Sequence, residues 1–180
     1  MIEDCAQCLG GKVRGVLTGQ QGIASVFSFY ATKLITSGGQ GGMFVSRDKG
    51  IADAVRDYRN FDCRPDRKSR FNFQMTDLQA AIGRAQLKKL PQFLSRRAEL
   101  FQIYKDAGLP LLDLPQSSTM LDPVRYRAVV RTTAPQEMLR ILAKNGIKGI
   151  VPIEDWELLG EGSAYPKALH LTKTTVSLPL

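Results

Sequence analysis

One lysine of this chain has neighbours suited to covalent chemistry with a carbonyl compound. Lys33 closes the segment 28–33, Ser-Phe-Tyr-Ala-Thr-Lys, and the glycine-rich run 38–42 follows it. Upstream, a short apolar stretch ends at Asp4. A lysine amine forms a Schiff base with an aldehyde, and a buried carboxylate pairs with a protonated ring nitrogen. These residue types in this order predict a site for pyridoxal phosphate, with the chemistry at Lys33.

Two further groups are candidates for the phosphate of such a cofactor. The hydroxyl of Ser28 and the amides of the run 38–42 suit an anion, because small residues let the backbone approach it closely. Once a substrate amine has displaced it, Lys33 would transfer a proton at the substrate carbon. The spacing alone leaves an alternative open. Asp4 is then a strand-end carboxylate facing water, and Lys33 is an ordinary surface lysine.

The composition is that of a globular protein. The chain has 180 residues, of which 43% are hydrophobic and 23% charged, enough for one domain or one domain with a small lobe. No apolar run approaches the roughly 20 residues of a membrane span. The acidic start at residues 1–4 does not resemble a secretory signal, so we expect a cytoplasmic protein.

The three cysteines are Cys5, Cys8 and Cys63, an odd number that argues against a disulfide framework. Cys5 and Cys8 form a C-x-x-C pattern. A zinc or redox role would need a second pair of ligands, or a helix beginning at the first cysteine. Neither is evident, so we expect these cysteines to be small buried residues.

The net charge of +8 calls for an anionic partner or a basic surface. The positive residues concentrate between positions 56 and 70. A phosphorylated cofactor, a nucleotide diphosphate substrate or a solvated loop would each account for them. Nucleic acid is disfavoured, because no helix-turn-helix, zinc finger or base-stacking pattern accompanies the charge.

Hydrophobic periodicity predicts an α/β fold. The predicted strands are 2–4, 24–29, 43–46, 123–132 and 147–153, and the end of the chain, 176–180, is extended. The predicted helices are 49–60, 134–145 and 165–171. A further helix begins with a Thr76–Gln79 capping box, is kinked or interrupted at Pro91, and reaches Lys105. Residues 62–72 are predicted to form a loop. We expect residues 1–105 to form one domain, with its linking helix, and residues 106–180 a small α+β lobe.

The sequence resembles the DegT family of sugar aminotransferases, which have the aspartate aminotransferase fold, fold type I. The matching blocks are 2–7, 28–33, 38–42, 72–81 and 86–87. Their order and separations fit the family together, and the resemblance extends over essentially the whole chain. It implies part of a fold type I large domain, followed by a small α+β C-terminal lobe.

The resemblance also implies a role for each matched residue. Asp4 pairs with the pyridinium nitrogen, Ala6 packs on the ring, and Gln7 bonds near the phenolic oxygen. Ser28 contacts the phosphate, Lys33 is the Schiff-base and proton-transfer lysine, and Asn72 reaches the phosphate of the other subunit. Related sugar dehydratases have histidine in place of this lysine, so Lys33 favours transamination.

The implied function is a pyridoxal 5'-phosphate-dependent aminotransferase of nucleotide-linked keto-sugars, with glutamate as amino donor. Such enzymes serve polysaccharide or secondary-metabolite sugar biosynthesis. The implied partners are these substrates and a second subunit, as a homodimer or as association with a missing N-terminal half.

Three departures from the family pattern qualify this expectation. Gln40 stands where the family usually has Glu, and Gln74 where it often has Arg. Family members also carry a long segment before the strand at 2–4, so we expect the chain to be the C-terminal half of such an enzyme, clipped at both ends. The alternative is a truncated non-catalytic fragment or half of a split enzyme, acting as an interaction module or a vestigial product.

Overall fold

A computed structural model describes residues 1–114, 120–161 and 164–180. The described residues form two compact units. The first comprises residues 1–95 and 120–126, and the second comprises residues 96–114 and the described part of 127–180. None of the helices in the described ranges is both long and apolar enough to span a membrane. The domain boundary at residue 105 stays a prediction.

The first unit is built on a three-stranded sheet. Its elements are β1 (Ile2–Asp4), β2 (Lys12–Val13), β3 (Val16–Leu17), β4 (Ala24–Ser28), β5 (Gly42–Ser46) and α1 (Lys49–Tyr58). The sheet order is β1-β4-β5, with β1 parallel and β5 antiparallel to β4. The predicted strands at the start of the chain, at 24–29 and at 43–46 are therefore confirmed within a residue at each end.

Both helices of the first unit begin at side-chain caps. Asp48 caps α1, because its carboxylate accepts the N–H of Ile51 at 3.1 Å. The helix α2 (Asp77–Asp106) begins after Thr76, whose hydroxyl accepts the N–H of Gln79 at 3.2 Å while the Gln79 side chain accepts the N–H of Thr76 at 3.0 Å. The predicted capping box is confirmed.

Pro91 was predicted to kink or interrupt α2; the interruption is wrong, and the kink stays a prediction. The helix runs continuously over 30 residues with Pro91 inside it. A proline removes one backbone donor and crowds the preceding turn.

The strand predicted at 123–132 is wrong over its first half. The element β6 (Leu121–Asp122) pairs with β2 in the first unit, and β7 (Ala128–Arg131) lies in the second. Tyr126 separates them in an irregular turn, where its N–H bonds the carbonyl of Val124 at 3.0 Å. The alternating apolar residues of this region therefore belong partly to the first unit and partly to the second.

The second unit packs around a small antiparallel pair. Its further elements are α3 (Pro135–Lys144), a 3₁₀ turn (Asp155–Glu157), α4 (Pro166–Thr172) and β8 (Thr175–Leu178). The strand β8 pairs with β7, and Phe101, Ala128, Val130, Val176 and Leu178 form the core. The predicted helices 134–145 and 165–171 and the extended segment at 176–180 are confirmed.

The predicted strand at 147–153 is reduced to a single bridge. Ile150 exchanges both backbone hydrogen bonds with Ser177, at 3.2 and 2.8 Å. Pro152 stands two residues later and has no N–H with which to extend the ladder. The apolar run therefore forms one pair instead of a strand.

Candidate functional site

The parallel pair β1–β4 places two of the candidate residues at the same edge of the sheet. Asp4 ends β1 opposite Val26, and Ser28 ends β4 two residues further on. The N–H of Cys5 bonds the carbonyl of Val26 at 2.8 Å and so continues the pairing past Asp4. The carboxyl ends of parallel strands are where α/β folds bind ligands. Asp4 and Ser28 are thus positioned by the same pair of strands.

Lys33 lies in the connection between β4 and β5, residues 29–41, which we call the lysine loop. The N–H of Phe29 bonds the carbonyl of Gly41 at 2.8 Å, and the N–H of Ala31 bonds that of Gly39 at 2.9 Å. The N–H of Lys33 donates to Tyr30 at 2.9 Å. The loop therefore continues the hairpin of β4 and β5 and holds Lys33 just beyond the carboxyl end of β4.

The glycine-rich run supports this loop through its carbonyl groups. Gly38 and Gly39 have φ values of +80° and +132°, which residues with side chains rarely adopt. The N–H of Gly38 is occupied by the hydroxyl of Thr36 at 3.1 Å. A phosphate contact through the amides of this run stays a prediction.

The lysine loop also packs against α2 at one close approach. Ser37 is fully buried in the loop, and its hydroxyl has no hydrogen-bond partner among the described residues. A Cβ atom at Gly83 of α2 would lie 2.7 Å from the Ser37 hydroxyl oxygen. Only a glycine at position 83 allows this contact without displacement of the loop.

The side chain of Lys33 lies beside an aromatic ring that the sequence did not identify. Its Nζ lies 5.5 Å from the centre of the Tyr126 ring, and the Tyr126 hydroxyl donates to the carbonyl of Thr32 at 3.3 Å. Within the described ranges, Lys33 makes no ion pair. Tyr126 and Thr32 are 94 positions apart in the sequence, so no local pattern signals this contact.

The carboxylate of Asp4 is not buried in the described structure, and its pairing with a ring nitrogen stays a prediction. Asp4 is exposed, because β1 lies at an edge of the described sheet and pairs with β4 alone. Its Oδ1 accepts the N–H of Ala6 at 3.0 Å. Ala6 is half-buried, and Gln7 is exposed. The group of Asp4, Ala6 and Gln7 therefore occupies one turn at the end of β1.

Asn72 lies in a different part of the first unit. It is exposed between Phe71 and Phe73, whose rings stack with centres 5.2 Å apart. The N–H of Phe71 bonds the carbonyl of Tyr58 at 3.0 Å, which ties this segment to α1. Among the described residues, no hydrogen bond joins Asn72 to the lysine loop.

The two glutamines that depart from the family pattern both take part in hydrogen bonds. The Gln74 amide donates to the side chain of Asn60 at 3.1 Å. The carbonyl of Gln40 accepts from the side chain of Gln79 at 3.1 Å, which connects the lysine loop to the start of α2. The bond at Gln40 uses the backbone, so it does not depend on which side chain stands there.

Three of the six basic residues between positions 56 and 70 pair with aspartates. The side chain of Arg70 is 5% exposed and pairs with Asp57 at 2.9 Å and with Asp66 at 2.6 Å. These bonds raise the pKa of Arg70 and hold the pKa of Asp66 well below its usual range, chiefly through the Arg70 guanidinium. Arg56 and Arg64 also pair with aspartates, at 2.8 and 3.7 Å.

The chain combines an α/β fold with a lysine on the loop directly after a sheet strand. Comparison with known proteins identifies the family to which it belongs. The chain belongs to the DegT/DnrJ/EryC1/StrS aminotransferase family, which it matches over residues 1–179. It is similar in structure to DesV of S. venezuelae, solved in complex with a ketimine intermediate. The TM-score is 0.85 at 30% identity, and the match covers 99% of this chain and 52% of that one. The predicted family and fold class are confirmed.

Two curated relatives show the extent of the match. The dTDP-3-amino-3,4,6-trideoxy-alpha-D-glucose transaminase of Streptomyces venezuelae is 31% identical over 194 residues, with 100% of this chain and 51% of that protein covered. The GDP-perosamine synthase of Escherichia coli O157:H7 is 39% identical over 110 residues, with 58% of this chain and 30% of that protein covered. The chain spans about half the length, or less, of the curated relatives it matches.

Proposed function

We propose that this chain carries the lysine-bearing part of a pyridoxal 5'-phosphate-dependent aminotransferase. Its substrates would be a nucleotide-linked keto-sugar and glutamate as amino donor, in polysaccharide or secondary-metabolite sugar biosynthesis. The family and the relatives named as a transaminase and a perosamine synthase support this proposal. The observation that carries it is the position of Lys33, on a loop directly beyond β4, at the edge where Asp4 ends β1.

The chemistry of the residues at this edge fits the cofactor. An amine, a carboxylate and a hydroxyl, those of Lys33, Asp4 and Ser28, follow two adjacent parallel strands. Among the described residues no carboxylate pairs with Lys33, so no ion pair competes with its reaction at a carbonyl group. Among the described residues the Asp4 carboxylate accepts one hydrogen bond, from the N–H of Ala6 to Oδ1, which leaves Oδ2 for a cationic ring nitrogen.

The proposed roles follow from the chemistry of each side chain. Pyridoxal phosphate, when bound, supplies an electron sink that makes a proton beside the substrate nitrogen labile. The carboxylate of Asp4 would keep the ring nitrogen protonated, and the Ser28 hydroxyl would bind the phosphate. The amine of Lys33 would hold the cofactor and then accept and return the proton at the substrate carbon.

The remaining residues would complete the site from either side of the cofactor. Ala6 would pack on the ring, and Gln7 would donate a hydrogen bond near the phenolic oxygen. Asn72 would reach a phosphate across a subunit interface, which agrees with its exposed position away from the lysine loop. We therefore propose that the working protein is a cytoplasmic homodimer, or an assembly with the half that the relatives have and this chain does not match.

One observation favours a second candidate function. The Asp4 carboxylate is exposed and β1 has one neighbour in the described sheet, so the turn at residues 4–7 lacks cover on one side. A chain in this state would act as an interaction module, or as one half of a split enzyme, and would gain activity only with a second polypeptide.

Covalent trapping tests the role of Lys33. The purified chain is mixed with an equimolar amount of pyridoxal phosphate, reduced with borohydride and mapped by mass spectrometry. We expect the label on Lys33, its absence from that peptide in Lys33→Ala, and unchanged labelling in the control Lys49→Ala, which replaces an exposed lysine of α1. Equal total labelling of Lys33→Ala and the wild type would overturn the proposed role.

Turnover separates the two candidate functions. Transfer of the amino group from glutamate to a nucleotide-linked keto-sugar by this chain alone would reject the interaction module. Activity that appears only after a second polypeptide is added would favour the split enzyme. In both cases the Lys33→Ala variant is expected to be inactive.

A further inference from the structure

Cys5 and Cys8 stand at the two ends of a hydrogen-bonded turn. The N–H of Cys8 donates to the carbonyl of Cys5 at 3.2 Å, with Ala6 and Gln7 at the corner positions. The first and fourth residues of a β-turn have Cα atoms less than about 7 Å apart. Disulfides join residues whose Cα atoms are about 4.4–6.8 Å apart. The backbone thus brings the two cysteines to a separation that a disulfide can bridge.

The rest of the fold holds both ends of this turn. The N–H of Cys5 bonds the carbonyl of Val26 in β4 at 2.8 Å. The carbonyl of Cys8 accepts two bonds, from the N–H of Gly11 at 3.0 Å and from the hydroxyl of Thr18 at 2.7 Å. These contacts hold both ends of the turn through backbone atoms of the cysteines, and the Cys8 thiol also donates to the carbonyl of Asp4 at 3.9 Å.

The two thiols are neighbours with different access to solvent. Cys5 is 2% exposed, whereas Cys8 is half-buried. Burial, and then the neighbouring thiol of Cys8, raise the pKa of Cys5 to about 12. An oxidant in solution therefore reaches Cys8 first, and Cys5 is placed to react with Cys8 from within the fold.

We propose that Cys5 and Cys8 form a reversible dithiol–disulfide site at the end of β1. With glutathione disulfide as oxidant, the Cys8 thiolate attacks one sulfur and releases one glutathione. Cys5 then loses its proton and attacks the Cys8 sulfur, which forms the Cys5–Cys8 bond and expels the second glutathione. The two protein thiols lose two electrons and two protons, and glutathione disulfide is reduced to two glutathione molecules.

This site is a place of modification and not a catalytic redox centre. Catalytic C-x-x-C motifs lower the pKa of the first cysteine, often at a helix N-terminus. Here the turn follows a strand, and the pKa of Cys5 is raised. The closed disulfide would constrain the turn of Ala6 and Gln7, but its formation requires nothing of Lys33 or of the cofactor.

Thiol mapping in glutathione buffers tests this site without any cofactor. The folded chain is equilibrated at increasing ratios of glutathione disulfide to glutathione, quenched with acid, alkylated after unfolding and analysed by mass spectrometry. We expect Cys5 and Cys8 to lose their thiols together, with a mass decrease of two hydrogens. The disulfide should form at a less oxidising ratio in the folded chain than in the chain unfolded in urea, because the turn is already formed.

Three cysteine variants test which thiol reacts with glutathione and which one closes the disulfide. Cys5→Ala should stop at a mixed disulfide between Cys8 and glutathione, Cys8→Ala should keep Cys5 as a thiol, and the control Cys63→Ala should form the Cys5–Cys8 bond as the wild type does. The proposal is overturned if both cysteines stay reduced in buffers that modify the exposed Cys63. It is equally overturned if the folded chain needs a more oxidising buffer than the unfolded one.

Discussion

At the level of single residues, the carboxylate of Glu3, which precedes Asp4 in β1, accepts three backbone hydrogen bonds. Its carboxylate accepts the backbone N–H groups of Gly22 at 2.6 Å, Gln21 at 2.7 Å and Gly19 at 2.8 Å. The bonds from Gly22 and Gly19 are the main cause of a pKa for Glu3 below its ordinary value of 4.5. A carboxyl group whose pKa is lowered by folding stabilises the fold while it is ionised.

The sign of this linkage gives a pH-dependent prediction. The contribution of Glu3 is fully present above about pH 4.5 and is lost as the pH falls through the lower, folded pKa. Glu3→Gln should therefore lower the unfolding temperature at neutral pH, and the difference from wild type should shrink in acid. Thermal unfolding followed by circular dichroism from pH 7 to pH 3 measures this difference in unfolding temperature. The control Glu99→Gln removes an exposed carboxylate of α2. If the unfolding temperatures of Glu3→Gln and wild type differed by the same amount at every pH, the stabilising role of ionised Glu3 would be contradicted.

The contact between Ser37 and Gly83 allows a double-mutant test of the packing of the lysine loop. Gly83→Ala should destabilise the chain by about 1–3 kcal/mol, because the new Cβ lies 2.7 Å from the Ser37 hydroxyl oxygen and the core is overpacked. Ser37→Ala removes that oxygen and a buried hydroxyl without a partner among the described residues, so it should be neutral or stabilising. The Cβ–Cβ distance that remains in the double variant is 3.8 Å, an ordinary contact.

The double variant should therefore recover stability. We expect Ser37→Ala with Gly83→Ala to be at least as stable as Ser37→Ala, since alanine favours a helix over glycine by about 1 kcal/mol. Urea denaturation of the four proteins gives the coupling energy. Additive effects of the two substitutions would show that the loop does not meet α2 at this point.

The candidate site residues could be selected from the sequence because their signal is local. Lys33, Ser28 and Asp4 stand in compact motifs, and the structure places them at one edge of one strand pair. The partners of Glu3 lie 16 to 19 positions away, and Tyr126 reaches Thr32 across 94 positions. Such contacts depend on how distant segments pack, so no spacing rule could have revealed them.

At the scale of elements, Arg70 connects the irregular segment after α1 to that helix. Its guanidinium bonds the Asp57 carboxylate through Nε at 3.1 Å and Nη2 at 2.9 Å, and Asp66 through Nη1 at 2.6 Å. Only a planar, forked cation can bond two carboxylates in this way. Arg70 therefore fixes a segment that has no regular secondary structure.

Substitution of Arg70 by lysine tests this link while retaining a trypsin site. The lysine can hold one carboxylate but not both in the same geometry, so the segment should open more often. We expect trypsin to cut after Arg67 and Lys68 several times faster in Arg70→Lys than in wild type. The control Arg67→Lys exchanges an exposed arginine and should leave the remaining cleavage rates unchanged. Equal rates in all three proteins would mean that the ion pairs do not restrain the segment.

Helices were predicted more successfully than strands, for a physical reason. The capping box predicted at Thr76 is a local pattern, and the structure contains it. A strand needs a partner as well as a pattern, and Ile150 finds one only for a single pair. The sequence left open whether Pro91 kinks or interrupts α2, because the hydrogen bonds of the flanking residues are not visible in residue type.

At the scale of the whole molecule, the first unit exposes apolar side chains on its sheet. Ile2 is 66% exposed, Met43 52% and Val45 40%. Strands in a parallel arrangement are normally covered on both faces, and an unpaired edge invites association. The extent of this exposed surface could not be predicted from the sequence, because it depends on which neighbours the sheet has.

This surface predicts that the chain associates in solution. Met43 and Val45 face the same side, because they pair with Phe27 and Ser25 two residues apart on β4. Val45→Lys places a charge on that face and should shift the sedimentation profile toward monomer at equal concentration. It should also reduce binding of a dye that fluoresces on apolar surfaces. The control Ile141→Lys changes an isoleucine of α3 that is 51% exposed in the second unit. If Val45→Lys and Ile141→Lys sediment alike, the exposed sheet face does not drive association.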